Sequence, residues 1–237
     1  MSSKGSSPHQ MRRGPVARKR GVTTAQIILV VGAVVVAVAL LIVLNSTRLH
    51  RATEAALAYP TGVTQTGNPY KGSPDASLKM EVYSDFLCGY CADLANVLEA
   101  ISADYIETGK LQVIFRNFAF LTPESVQAAQ ASLCALDQGP ARFWQYHDLL
   151  YASRGGGMAA YSTVRLKGYA QELGLDVEAF SRCLDSRAKA AQVQADLDAG
   201  RQAGVDGTPT WFLNGQKRVG AISESDLRNL LDSLLPK

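Results

Sequence analysis

Histidine is scarce in this 237-residue chain: His9, His50 and His147 are the only three, and none is close to another. Cysteine is scarce too. Cys88 and Cys91 form one C-x-x-C pair, while Cys134 and Cys183 stand apart from it and from each other. A zinc site ordinarily takes a second close pair of Cys or His. The chain has none to offer, so the pair at 88–91 reads as redox chemistry and not as half of a metal centre. Acidic residues are absent before Glu54, and charge of either sign is absent from Ile27 to Leu44. These gaps divide the chain.

Residues 1–26 hold Lys4, Arg12, Arg13, Arg18, Lys19 and Arg20 and no acid. The overall net charge of +3 therefore misleads, because the remainder holds more acid than base. A mildly acidic main domain gives no footprint for nucleic acid. The basic tail instead precedes the uncharged run Ile27–Leu44, whose 18 residues are all apolar or glycine. As a helix that run spans about 27 Å, close to a hydrocarbon core of about 30 Å. With the basic side held inside, it predicts a single-pass anchor in the lipid bilayer of the cell membrane. The N-terminus is then cytoplasmic and residues 45–237 extracytoplasmic. The competing reading, a cleaved signal peptide, is disfavoured: the nearest small-x-small site, Ala56-Leu57-Ala58, is too far along. Either way the cysteines lie where disulfides persist.

Residues 1–26 are Ser-, Gly- and Arg-rich and predict disorder. Residues 45–76, with Pro60, Gly62, Gly67, Pro69, Gly72 and Pro74, read as an extracytoplasmic tether. The folded domain is expected over 77–237. It opens with a strand near Leu78–Ser84, then the cysteine turn, then a helix to about Thr108 stopped by Gly109. A second strand is expected at Leu111–Phe120. Residues 123–204 are helical in pattern, with Gly155-Gly156-Gly157 as a break and one helix expected over Val177–Ala203. Trp144, Tyr146 and His147 sit at core spacing and read as packing. Strand character returns at Thr210, and Asn214-Gly215 marks a two-residue hairpin turn. Ser223 caps a last amphipathic helix.

The chemistry concentrates in Ser84-Asp85-Phe86-Leu87-Cys88-Gly89-Tyr90-Cys91. A strand-like run precedes it and a helix-period run follows, which puts Cys88 at a helix N-terminus. Free N–H groups and the positive dipole end there favour a thiolate, and a lowered thiol pKa makes a nucleophile and a good leaving group. Cys91 lies one turn further on, within reach of Cys88.

Cys88-Gly-Tyr-Cys91, Gly207-Thr-Pro-Thr210 and Asn214-Gly215 together resemble the thioredoxin superfamily. With Gly72-Ser-Pro-Asp-Ala76, Tyr83-Ser-Asp-Phe86, Leu136-Asp-Gln-Gly139 and Cys183-Leu-Asp185, the chain is similar to the DsbA-like thiol–disulfide oxidoreductases over about Gly72 to Lys237. The resemblance implies an α/β thioredoxin fold with an inserted helical subdomain. It makes Pro209 a cis residue beside the cysteines and gives Thr208, Gly89 and Tyr90 substrate contacts. It implies no metal or organic cofactor. Two features depart from the pattern. Gly89-Tyr90 looks like the dipeptide of bacterial disulfide isomerases. Val82 stands where the family carries a buried acid, and the adjacent Glu81 faces the other side of the strand.

The expectation is a membrane-anchored oxidase that rests with Cys88–Cys91 oxidised and introduces disulfides into exported proteins with reduced cysteines. A quinone-linked membrane partner, implied by the family, reoxidises it. The alternatives are an isomerase or reductase on the same fold, and a tethered chaperone or binding module. Of the three possible pairings of four cysteines, Cys88–Cys91 leaves Cys134–Cys183 as a structural disulfide.

Overall fold

The computed structural model describes residues 57–235, together with four helical residues, 36–38 and 40. Contacts divide the chain into Met1–Ala52 and Thr53–Lys237, and the second unit carries the fold. The basic tail, and all but those four residues of the expected anchor Ile27–Leu44, lie outside the described residues. No helix among the described residues is long and apolar enough to cross a membrane.

Two short strands, β1 (Thr61–Val63) and β2 (Pro69–Lys71), come first. They correct the expected tether over 45–76, because both belong to the main sheet. Three-residue strands are too short to show alternation, and Pro69 and Gly67 disguise the hairpin as loop. Pro69 sits at the first position of its strand, where the missing N–H costs least. Next come β3 (Leu78–Ser84), α1 (Gly89–Ala100) and, after a π-helical turn at Ser102–Ile106, β4 (Leu111–Asn117). Helix α1 is thus shorter than the expected helix to Thr108. Five helices follow: α2 (Pro123–Leu136), α3 (Pro140–Ala152), α4 (Thr163–Glu172), α5 (Val177–Asp185) and α6 (Ala190–Gln202). A 3₁₀ segment, Ser153–Tyr161, bridges α3 and α4. Strands β5 (Thr210–Leu213) and β6 (Gln216–Val219) and helix α7 (Glu224–Leu234) close the chain.

The sheet order is β1-β2-β4-β3-β5-β6. Strands β3 and β4 are parallel and the other pairs antiparallel. Five helices inserted between β4 and β5 of this mixed sheet make the thioredoxin core with a helical subdomain that the resemblance implies. Asn214 and Gly215 both take positive φ, 46° and 81°, as a two-residue hairpin loop requires. The helix expected over Val177–Ala203 is two helices, broken where Arg187 adopts φ 55°. Apolar periodicity alone does not reveal a short break of that kind, here residues 186–189.

Alternation along the strands sorts the sheet into two faces. Leu78, Met80 and Val82 join Leu111, Val113 and Phe115 in the main core beneath α1, α3 and α7. The opposite face carries Tyr83 and Phe212, which pack with Phe118, Leu197 and Val205. Gly200 of α6 makes this second contact possible: a Cβ there would lie 2.6 Å from the Phe118 ring and 3.0 Å from that of Tyr83. Gly200→Ala is expected to destabilise by about 1–3 kcal/mol through overpacking, although alanine is the better helix former by about 1 kcal/mol. Denaturant unfolding checks this, and a variant of raised stability would show that α6 can shift without cost.

Candidate active site

The site lies where β3 runs into α1. Asp85 is fully buried and acts as the frame of the turn. Its Oδ1 accepts from the Leu87 N–H at 2.9 Å, and its Oδ2 from the Phe120 and Leu121 N–H groups at 3.1 and 3.3 Å. One carboxylate thereby fixes the cysteine turn against the chain leaving β4. Cys88 is the N-cap of α1 with extended backbone, so the first free N–H groups of the helix surround its sulfur.

Cys88 and Cys91 are both free thiols. Cys91 is one turn inside α1 and 1% exposed, while Cys88 is partly exposed. The Cys88 pKa is lowered to about 6, chiefly by the hydrogen bond from Cys91. Burial opposes this, and the Thr208 side chain and the N–H groups of Cys91 and Tyr90 reinforce it. Burial pushes Cys91 strongly upward, and its bond to Cys88 adds to the rise. Two thiols three positions apart are thus split into a ready thiolate and a held proton. The depressed Cys88 pKa stabilises the dithiol protein fully above the unfolded thiol value of about 8.5, and that stabilisation is lost as pH falls through about 6.

The loop before β5 closes over the pair. The Thr208–Pro209 peptide is cis, and the Thr208 carbonyl accepts from the Cys88 thiol at 3.3 Å. Pro209 is buried, and its carbonyl accepts from the Gly220 N–H at 2.8 Å. Sequence elements some 120 positions apart therefore meet at one sulfur. Tyr90 stands out into solvent at 68% exposure. Gly89 lies under Arg154: a Cβ on residue 89 would sit 3.3 Å from the guanidinium. The sequence reading missed Arg154, which comes from the glycine-rich segment after α3 and carries no motif. Glu81 pairs with Arg116 at 3.0 Å on the far side of β3, and Val82 is in the core. Trp144, Tyr146 and His147 are all buried packing residues.

One expectation is corrected. The disulfide present is Cys134–Cys183, with a sequence separation of 49; it is not the adjacent Cys88–Cys91 pair expected to rest oxidised. The reading of an oxidase that rests with Cys88–Cys91 oxidised and introduces disulfides into exported proteins is withdrawn on the free state of that pair. The expected anchor Ile27–Leu44 lies almost wholly outside the described residues, among which no helix is long and apolar enough to cross a membrane. The spacing of a C-x-x-C pair says that its sulfurs can meet, not which redox state they hold.

A family profile described as thioredoxin matches residues 64–233. The sodium/proton antiporter NhaA 1 of Salinispora arenicola is 32% identical over 155 residues, covering 65% of this chain and 22% of that protein. The chain thus spans about a quarter or less of the length of the first curated relatives it matches. A probable disulfide bond formation protein D of Bacillus anthracis is 30% identical over 148 residues, covering 61% of this chain and 68% of that one. Oxidised BdbD from Bacillus subtilis superposes with a TM-score of 0.66 at 23% identity, over 74% of this chain and 97% of that one. At that identity the likeness concerns the fold alone.

Proposed function

The chain belongs to the thioredoxin family, and on that premise we propose that it is a protein thiol–disulfide oxidoreductase in which Cys88 makes and breaks the bond to the partner protein. The observation that carries this reading is the asymmetry of the pair. Cys88 is accessible, with its pKa lowered to about 6, while Cys91 is buried beside it and kept protonated. A structural pair needs no such split.

The Cys88 thiolate attacks a disulfide of the partner and forms a mixed disulfide, and one partner sulfur leaves as thiolate. The Cys91 sulfur then attacks Cys88, gives up its proton, and releases the second partner sulfur. Two electrons have passed from the dithiol to the partner, and each step is reversible. A stabilised Cys88 thiolate weights this exchange toward the dithiol. The Thr208 backbone, on the loop covering Cys88, suits an extended partner segment laid beside it as a short strand. Gly89 and Tyr90 line the same approach. The partners are polypeptides presenting cysteines, and a redox protein resets the pair. A quinone-linked membrane protein fills that second role in the family resemblance. The Cys134–Cys183 disulfide supports work in an oxidising compartment outside the cytoplasm.

Alkylation of the reduced protein by iodoacetamide tests the reading. Cys88 should react at a rate half-maximal near pH 6 and flat above it, while Cys91 stays unmodified. A rate that rises to about pH 8.5, as for an unperturbed thiol, would remove the basis for Cys88 as the exchanging sulfur.

A further inference from the structure

Resting on the reading just given, the resolving step raises a question that the two cysteines do not answer. Cys91 must lose its proton as it attacks, and its burial makes that loss hard. Residue 82 offers no carboxylate, since it is valine in the core. Any acceptor must therefore come from other groups around Cys91.

A cavity of about 20 Å³ lies against Cys91, room for one water molecule. Most of its lining is apolar, but Ser84, Tyr151, His147 and Lys71 also face it. Ser84 shares the cavity wall with Cys91 and lowers the pKa of that thiol, and its hydroxyl lies 2.8 Å from the Tyr151 hydroxyl. Both oxygens are buried. The His147 ring meets Tyr151 edge-on at 4.9 Å, and its Nδ1 lies 2.7 Å from Asp148 Oδ1. The Asp148 side chain is half exposed. It lines an outer groove with Asn96 and Glu99, and Tyr151 borders both that groove and the inner cavity.

We propose that this cavity is a proton relay for Cys91, running from Ser84 and Tyr151 to His147 and out through Asp148. As the Cys91 sulfur bonds to Cys88, its proton passes to the Ser84–Tyr151 hydroxyl pair. A cavity water carries a proton from there to Nε2 of His147. Nδ1 gives up its own proton to the Asp148 carboxylate, which releases it to solvent through the outer groove. One proton enters and one leaves, so every relay group returns to its starting state when the imidazole flips or the path reverses. His147 is suited to this because burial lowers its pKa, leaving the ring neutral and Nε2 open to accept.

The charged groups facing His147 are few. Asp148 adjoins it on α3, Lys71 approaches from β2, and Glu99 from α1. Lys71 is placed there by register: it pairs with Val113, which turns its side chain into the main core. Its ammonium lies over the Trp144 ring at 4.9 Å and 3.8 Å from Glu99. Lys71 opposes a lasting positive charge on His147, so the imidazole passes the proton on instead of storing it. His147, Tyr151 and Ser84 are positioning and relay residues; none touches the partner.

Mixing the reduced full chain with glutathione disulfide, followed by acid quench and mass spectrometry, separates the two steps. Formation of the Cys88–glutathione adduct is second order, and its resolution by Cys91 is first order. In His147→Phe, set among aromatic neighbours that accept a ring, formation should be unchanged. Resolution should slow by about a hundredfold at neutral pH, the lower end of what a placed general base contributes. The deficit should close as pH rises and hydroxide takes over as base. Asp148→Asn should show a smaller slowing with the same pH signature, and at its half-exposed position it keeps the test decisive if His147→Phe does not fold. Tyr151→Phe should slow resolution without changing adduct formation. Resolution at the wild-type rate, or slowed by one constant factor at every pH, would overturn the relay. Failure of the wild-type chain to form any adduct would instead overturn the role of Cys88.

Discussion

Cys91→Ser should turn the chain into a trap. In the wild type the Cys91 thiol is the only sulfur among the described residues placed against Cys88, and it is held there by one turn of α1. Groups oriented in this way act at effective concentrations of about 10⁵ M or more. An external thiol at millimolar level cannot substitute, so the lifetime of the mixed disulfide should lengthen by about a thousandfold or more. Turnover should fall to the uncatalysed rate while Cys88 still reacts. Serine places a hydroxyl donor where the Cys91 thiol stood, so the kind of hydrogen bond that lowers the Cys88 pKa most is kept and Cys88 stays reactive in the variant. Cys88→Ser should trap nothing, because the remaining Cys91 is buried and protonated. Acid-quenched, non-reducing electrophoresis with mass spectrometry of the adducts decides it. Adducts on Cys91 in the Cys88→Ser protein would reverse the assigned roles, and no adducts in either variant would remove both.

What the sequence makes legible here is what chemistry writes locally. The Cys88–Cys91 spacing, the apolar strand before it and the helical period after it place two thiols at a helix start. Asn214-Gly215 announces its hairpin because so few residues tolerate two consecutive positive φ values. Lys71 is different. Nothing in Pro69-Tyr70-Lys71 says that a lysine will face the main core; that depends on β2 pairing with β4 at Val113. His147 reads as packing and does pack, touching five aromatic rings. Its neighbourhood with Cys91 exists only once α3 is laid beside α1. Asp196 shows the same limit. It looks like a solvent-facing helix residue, yet it is buried and holds Asn68 and the Asn117 N–H, fastening the β1–β2 hairpin to α6. Local motifs survive a reading without coordinates, while polar groups buried by long-range register do not.

The second large effect concerns the helical subdomain. Cys134 of α2 and Cys183 of α5 are joined across 49 positions, with Cα atoms 5.8 Å apart. A loop of that length restricts the unfolded chain by an amount the entropy model puts at about 4 kcal/mol, with measured losses of about 2–5 kcal/mol for native disulfides. Other ties within the subdomain remain when the sulfurs are removed. Tyr146 stacks near Phe180 at 5.3 Å, Gln138 exchanges hydrogen bonds with the Asp176 backbone, and Lys189 reaches Asp137. The double variant Cys134→Ala, Cys183→Ala should therefore fold, with stability lower by about 2–4 kcal/mol and a Tm lower by roughly 5–15 °C. Cys134 is fully buried, so part of the loss is the cavity its sulfur leaves. Reduction of the wild type under native conditions separates this share, because it breaks the bond and keeps both sulfurs. The groups that set the Cys88 pKa lie on α1 and on the Thr208 loop, none on α2 or α5. The alkylation profile of Cys88 should accordingly be unchanged in the double variant. A shifted profile would mean that the subdomain transmits strain to the site, and an unchanged Tm would mean that the other contacts already hold α2 and α5 together.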